Sequence, residues 1–369
     1  MQCGAFLRML RLSAAFVAAL GLGSPVDVLA AAPQTGRATR PPVRSSATQT
    51  SKPSAPKPTT KRATKKSYSA KASRARQARI AKARAEARAR EAREVQTPRF
   101  KINELGQEVP DVRAEAAIIY NPETNEVLWE SNAQDQRSIA SITKVMTALV
   151  FLESGTPLST EVTVQRGDVY RASTTYLRAG YKVTADDLLN LLLIGSDNAA
   201  ARALARVSIY GASGFVDRMN AKAAELGLES THYADPSGLL ASNVSSAYDM
   251  ARLIAFVSGD DRMGGIMRKA SHTVYAGKRT IHVNSTNQLV RTGEYDVLGG
   301  KTGFISRSGY CLATLLRLPQ TGQQVAVVVL GAKSNQGRFW ETRHLFNWMS
   351  TKTKTLFGLN AQPQQRDEN

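Results

Sequence analysis

SIASITKVMTALV, residues 138–150, sets Ser141 and Lys144 at the head of an otherwise apolar run. An amphipathic surface helix would carry its lysines on the face opposite Val145, Met146, Ala148, Leu149 and Val150. Here the lysine follows the serine by one helical turn and leads straight into a segment that reads as buried. Positions i and i+3 share a helix face, so the two polar groups can meet. A helix starting near Ser141 also turns its partial positive end toward negative charge developing on the hydroxyl. A lysine partly stripped of water loses proton affinity and can act as a base toward that serine. The bland alternative is an ordinary helix start, with Ser141 as cap and Lys144 reaching back to solvent.

The spacing alone decides nothing, because Ser54-Ala-Pro-Lys57 repeats it inside a Pro-rich stretch. Two further patterns add weight. Ser196-Asp197-Asn198 follows LLNLLLIG (188–195), at a kink between two helical runs, where so polar a triplet is unexpected. A helix cap is its alternative reading, and Ser285-Thr286-Asn287 has the same Ser-x-Asn form. Lys301-Thr302-Gly303 sits in VLGGKTGFISRSGYCL (297–312), on or entering an apolar strand, and is the one Lys-Thr-Gly of the chain. Its alternative is an exposed edge-strand turn.

In this order the three patterns match the Ser-x-x-Lys, Ser-Asp-Asn and Lys-Thr-Gly set of penicillin-binding proteins and class A β-lactamases. Over residues 110–350 the chain resembles the low-molecular-mass penicillin-binding proteins, the serine D-alanyl-D-alanine peptidases. The stretches TYLRAGYKVTADDLLNLLLIGSDNAAARALA (175–205) and ADPSGLLASNVSSAYDMARL (234–253) share the likeness. The resemblance implies that Ser141 is the acylated nucleophile and Lys144 its proton acceptor. Ser196 would relay the proton to the leaving amine, and Asn198 would hold either the substrate amide or Lys144. Lys301 would attract the terminal carboxylate of the substrate, and Thr302 would hydrogen-bond it. Gly303 would let an extended peptide pair closely with the strand. The backbone N–H groups of Ser141 and Phe304 would form the oxyanion hole. β-Lactams and peptidoglycan stem peptides are the implied partners, with no cofactor.

A class A β-lactamase would need a Glu-x-x-Leu-Asn stretch to activate the deacylating water, and the sequence holds none. A β-lactamase and a catalytically inert wall-binding protein stand as the competing readings. The sequence ends 66 residues after Gly303, short of the further β-rich domain that many family carboxypeptidases carry. That ending resembles the cross-link-cleaving D,D-endopeptidase branch.

The fold is expected to be α/β in the α+β sense, with a mainly antiparallel central sheet packed between helices, because the late strands are joined by short turns. Residues 114–132 read as a hairpin, 271–287 as another, and 296–305, 309–317 and 324–332 as closing strands. Helix patterns run over 141–153, 184–207, 212–226, 245–257 and 338–350. Phe339, Trp340, Phe346 and Trp348 of the last helix are expected to pack on the sheet. The compact catalytic domain is placed at 100–355, its core starting near residue 110, with a polar tail at 356–369.

Upstream, the composition changes. The chain carries 49 Lys and Arg against 30 Asp and Glu, yet residues 37–94 alone hold 18 basic groups and 3 glutamates. Residues 95–369 are then nearly balanced, with 29 basic and 26 acidic groups. The positive charge therefore belongs to an arm, spanning 31–99, and not to the domain. Its Pro-, Ser- and Lys-rich part, 33–69, lacks apolar side chains and is expected to be disordered. Its Ala- and Arg-rich part, 70–95, favours helix but offers no core-facing stripe. Such a segment reads as a solvated tether, or as an adhesive for cell-wall polymer or anionic lipid. Nucleic acid is disfavoured, since no aromatic platform accompanies the charge.

Residues 1–30 read as an export signal. Arg8 and Arg11 precede an apolar run from Leu12 to Gly23, too short to span a bilayer, and VLAAA (28–32) offers cleavage after Ala30 or Ala32. Export places the mature chain in the periplasm or on the outer face of the cell envelope. Cleavage would remove Cys3 and leave Cys311, expected to be a small core residue on a strand. His232, His272, His282 and His344 show no metal-ligand spacing and read as structural or surface residues.

Overall fold

A computed structural model describes residues 65–356. The export signal, the arm up to residue 64, the Ser54–Lys57 repeat and the polar tail lie outside the described residues. No helix among those described is long and apolar enough to cross a membrane.

In chain order the main elements are α1 (Lys65–Gln96), β1 (Ala116–Asn121), β2 (Glu126–Ser131), α2 (Thr143–Glu153), α3 (Ala185–Leu193), α4 (Asn198–Val207), α5 (Gly211–Glu225), α6 (Ala247–Ser258), β3 (Val297–Ile305), β4 (Gly309–Arg317), β5 (Gln324–Ala332) and α7 (Asn335–Leu356). The five strands form one antiparallel sheet in the order β3-β4-β5-β1-β2. Strands β1, β4 and β5 read as nearly unbroken apolar runs because both of their faces are covered, whereas the edge strand β2 is mostly exposed. Ala116, Ile118 and Tyr120 of β1 join the core under α2 to α6, whereas Ala117 and Ile119 join the core under α7. β5 divides in the same way, with Ala326, Val328 and Leu330 on the first side and Val325, Val327 and Val329 on the second. A period of two thus serves two cores at once.

The β1–β2 turn is local in origin. Asn121 Oδ1 accepts from the N–H groups of Glu123 and Thr124, and Asn125 takes φ 60°, a left-handed value that asparagine tolerates. Phe339 and Phe346 of α7 are buried against the sheet and Trp348 packs beside them, as expected. Trp340 departs from expectation. It lies half-buried on the flank of α7, with the Arg343 guanidinium 4.9 Å from its ring centre and His344 beside it.

The other differences are small. Phe100–Ile102 and Glu108–Pro110 pair as a hairpin ahead of the expected core boundary, and short pairs join Glu161–Thr163 to Lys182–Thr184 and Arg137–Ser138 to Val244–Ser245. Strands of two or three residues are too short to show a period. The hairpin expected at 271–287 forms, from Ser271–Ala276 and Arg279–Asn284, but stands apart from the main sheet.

Helix α1 begins at Lys65, inside the stretch expected to be disordered, and is solvated along most of its length. Its C-terminal end is docked. Val95 is buried, Arg113 Nη2 donates to the carbonyl oxygens of Glu94 (2.6 Å) and Thr97 (3.2 Å), and His344 Nε2 lies 3.0 Å from that of Gln96. Side chains of the domain thereby satisfy carbonyl groups that the end of a helix leaves open. At about 1.5 Å per residue, the helix is a stalk of about 48 Å.

Candidate active site

The turn that carries Ser141 is made before α2 begins. Ala140–Ile142 is a single 3-10 turn, and the α-helix starts only at Thr143. Ala140 holds φ 47°, a strained value for a residue with a Cβ, so the surroundings must impose it. They do so from two sides. Ile139 N–H donates to Asn243 O (3.1 Å), and Gly238, itself at φ 77°, packs so close that a Cβ there would stand 2.1 Å from Ala140 O. Asn243 is in turn bound to Asp235, whose carboxylate also gathers the N–H groups of Ser237 and Leu240. The ADPSGLL stretch therefore forms a buttress beneath the serine turn.

Lys144 is wholly buried, which answers the oddity of its placement. Its Nζ lies 2.8 Å from Ser141 Oγ, 2.6 Å from Asn198 Oδ1 and 2.5 Å from Ser237 O. Burial pushes its pKa down from 10.5 to about 7, against the pull of Asp235 and Asp197 and with a small push from Arg202. A neutral amine has two N–H donors and one lone pair. Asn198 Oδ1 and Ser237 O can take the two donors, which leaves the lone pair for the Ser141 hydroxyl proton. The site can hold a free base against a serine at neutral pH.

Ser196 lies in the break between α3 and α4, with φ 59°. Asp197 caps α4 by accepting from Ala200 N–H (2.9 Å) and ties down the neighbouring loop through Tyr176 N–H (2.6 Å) and Thr175 Oγ1. Asn198 sends its Nδ2 to Ala172 O (2.6 Å) and its Oδ1 to Lys144, so of its two expected partners the structure shows the lysine.

On β3, Lys301 is buried and its Nζ lies 2.8 Å from Ser196 Oγ and 2.9 Å from Thr302 O. Its pKa is pushed well below 10.5, first by burial and then by the charges of Lys144 and Arg338. Thr302 Oγ1 donates to Thr286 Oγ1 at 2.7 Å. Gly303 lies directly against the serine turn, where a Cβ would stand 2.6 Å from Ile139 O and 3.2 Å from Ser141 N. Phe304, half exposed, stacks on Tyr310 at 4.1 Å.

All eight candidate residues thus converge. Six of them, Ser141, Ser196, Asn198, Thr302, Gly303 and Phe304, line one cleft of about 530 Å³, with the two lysines beneath its floor.

Three contributors escaped the sequence reading. Thr286 belongs to the Ser285-Thr286-Asn287 repeat, which carries no signal by itself, and only the fold brings it to Thr302. Ser237 acts through its backbone oxygen, which side-chain patterns do not reveal. Arg338, buried at the start of α7, donates to Gly303 O (2.9 Å), Cys311 O (3.2 Å) and Asn335 Oδ1 (2.5 Å), and burial lowers its pKa to about 10. Its place inside an aromatic helix, as in GRFW, was the available cue. Cys311 is a buried free thiol on β4, as expected.

A family model described as D-alanyl-D-alanine carboxypeptidase matches residues 103–334. The chain belongs to that family. Its members are serine-type D-Ala-D-Ala peptidases, and the chain is accordingly a peptidase hydrolase of the penicillin-binding protein group. It is 33% identical over 228 residues to the D-alanyl-D-alanine endopeptidase of Haemophilus influenzae, covering 61% of this chain and 78% of that one. The crystal structure of the Streptomyces K15 DD-transpeptidase superposes with a TM-score of 0.61 at 27% identity, over 65% of this chain and 97% of that one. Penicillin-binding protein D2 of Listeria monocytogenes, solved in its cefotaxime-bound form, gives a TM-score of 0.58 at 28% identity, over 65% and 98%.

Proposed function

We propose that this family member is an exported carboxypeptidase/D,D-endopeptidase that cleaves peptidoglycan stem peptides through an acyl-enzyme on Ser141 and is acylated there by penicillins. The observation that carries the reading is the contact between Ser141 and a buried Lys144 whose pKa is brought to about 7. In the first step Lys144 takes the Ser141 proton as Oγ attacks the carbonyl of the D-alanine before the scissile bond. The oxygen gains negative charge between the Ser141 and Phe304 N–H groups. Ser196 then gives its hydroxyl proton to the leaving nitrogen and is reprotonated with the proton that Lys144 took from Ser141, which returns Lys144 to its neutral form. Lys301 supports this step, since its N–H donated to Ser196 Oγ leaves that hydroxyl free to donate. Lys301 and Thr302 receive the carboxylate of the leaving residue, while Gly303 gives the extended substrate room to pair with β3. Water attacks the ester in the second step and the same groups reverse their roles.

Cleavage of cross-links is favoured over terminal D-alanine removal by the likeness to relatives named endopeptidases. For the basic arm we infer adhesion to a polyanion of the envelope, cell-wall polymer or anionic lipid, through a charge excess that salt screens within about 10 Å at 0.1 M. Deleting 37–89, which spares the docked end of α1 around Val95, should weaken sedimentation with isolated walls most clearly at low salt. Equal sedimentation of both proteins across a salt titration would leave the arm as a spacer.

The catalytic reading is tested by labelling the protein with a fluorescent penicillin and mapping the modified peptide. The adduct is expected on Ser141 and should vanish in Ser141→Ala. Labelling that survives in the variant removes Ser141 from the role.

A further inference from the structure

The segment that leaves the separate hairpin, residues 283–287, is wedged between two of the motifs. Val283 packs against the break that carries Ser196, so close that a Cβ on Gly195 would stand 2.3 Å from its Cγ2. Thr286 N–H donates to Ile194 O in the same break (3.0 Å), and Ser285 N–H donates to Ala270 O (2.8 Å). On the other side, a Cβ on Gly300, the residue before Lys301, would stand 2.9 Å from Asn287 Nδ2. Backbone and neighbours thus fix Thr286, whose branched side chain has few rotamers to choose from. It lines the cleft together with Ser196 and Thr302, and its Oγ1 lies 2.7 Å from Thr302 Oγ1. Among the described residues that is the one hydrogen bond of the Thr286 hydroxyl.

A hydroxyl has one proton to give and lone pairs to receive with. Thr302 gives its proton to Thr286, and in that arrangement it has none for the carboxylate of a leaving residue. A carboxylate only accepts, so to bind one Thr302 must turn its O–H away from Thr286. Its oxygen then needs a donor in exchange, and Thr286 is within reach to be that donor. Reversing the bond keeps the two hydroxyls joined while the freed proton goes to the carboxylate. A hydroxyl that accepts while it donates is also a stronger donor than a lone one. Given the peptidase reading above, we propose that Thr286 is a positioning residue for carboxylate recognition, donating to Thr302 as the carboxylate of the leaving residue arrives. This role explains a hydroxyl at the cleft wall that the three motifs do not include.

Benzylpenicillin and its methyl ester, which lacks the carboxylate, test this on the whole protein. The ratio of their second-order acylation constants measures how well the carboxylate is recognised. In Thr286→Val, a near-isostere without the hydroxyl, the ratio should fall about fivefold to tenfold, as when one hydrogen bond to a charged group is weakened. Thr286→Ser, which keeps the hydroxyl, should hold the wild-type ratio. Combining Thr286→Val with Thr302→Val should give the same ratio as Thr302→Val alone, because Thr286 acts through Thr302. A mere change in packing would slow both probes alike and leave the ratio where it was. An unchanged ratio in Thr286→Val overturns the role, as does a double variant in which the two losses multiply. Wild-type protein without a penicillin adduct on Ser141 would overturn the peptidase reading and this role with it, whereas a flat ratio strikes Thr286 alone.

Discussion

If Lys144 is the base, the rate of acylation must follow its deprotonation. An ordinary lysine with a pKa of 10.5 would be neutral in about one molecule in 3,000 at pH 7. Burial that brings the pKa to about 7 makes about half of the molecules competent at that pH. This gain of about 1,500-fold in free base is what the buried position of Lys144 supplies. Only the neutral form accepts the serine proton, so activity falls on the acid side. The second-order rate constant for acylation by a soluble penicillin should drop about tenfold per pH unit below about 7, to near one-hundredth at pH 5. Stopped-flow or gel-based labelling from about pH 5 to pH 9 measures it, and the second-order constant reports the free enzyme. Lys301 shares the cleft and is also depressed, so the midpoint belongs to the coupled pair. A flat profile over this range, or a midpoint near 10, would refute the assignment of Lys144 as base.

Other perturbations have equally definite outcomes. Lys144→Arg should fold and yet acylate at least about 100-fold more slowly, because arginine keeps its proton; wild-type rates would make the lysine structural. Gly303→Ala drives a Cβ to 2.6 Å from Ile139 O, so acylation should collapse with a stability loss of about 1–3 kcal/mol, read by denaturant melts. Gly238→Ala meets both a positive φ and Ala140 O, and should destabilise by more than about 2 kcal/mol; a neutral effect would mean the buttress is not rigid. The folded-state pKa of Lys144 lies below its unfolded value, so the unfolded chain binds the extra proton between about pH 7 and 10.5. Stability should therefore rise with pH across that window, with the full burial penalty present below it. Thermal melts of Lys144→Met should show a shallower rise, and curves parallel to wild type would mean that the lysine is buried charged.

Much of this was legible in the sequence because its signals were local. Turn chemistry at Asn121–Asn125, the cap at Asp197 and the apolar runs of the central strands each announce themselves within a few residues. The three motifs placed Ser141, Ser196 and Lys301 in one site although they lie far apart in the chain. What stayed hidden depends on tertiary contact. The left-handed Ala140 is imposed by Gly238, almost a hundred residues away. Ser237 contributes a backbone oxygen, Thr286 matters only through Thr302, and Arg338 is aimed by the packing of α7 on the sheet. The docked end of α1 was invisible for a similar reason, since Val95 alone makes no stripe and its anchors, Arg113 and His344, lie downstream.

The most direct test of the account is to incubate the purified protein with cross-linked muropeptide dimers and identify the products by mass spectrometry. The account predicts that dimers are converted to monomers ending in D-alanine, and that Ser141→Ala leaves them whole. Dimers and pentapeptides that both remain intact with the wild-type protein, under conditions where it folds, would contradict it.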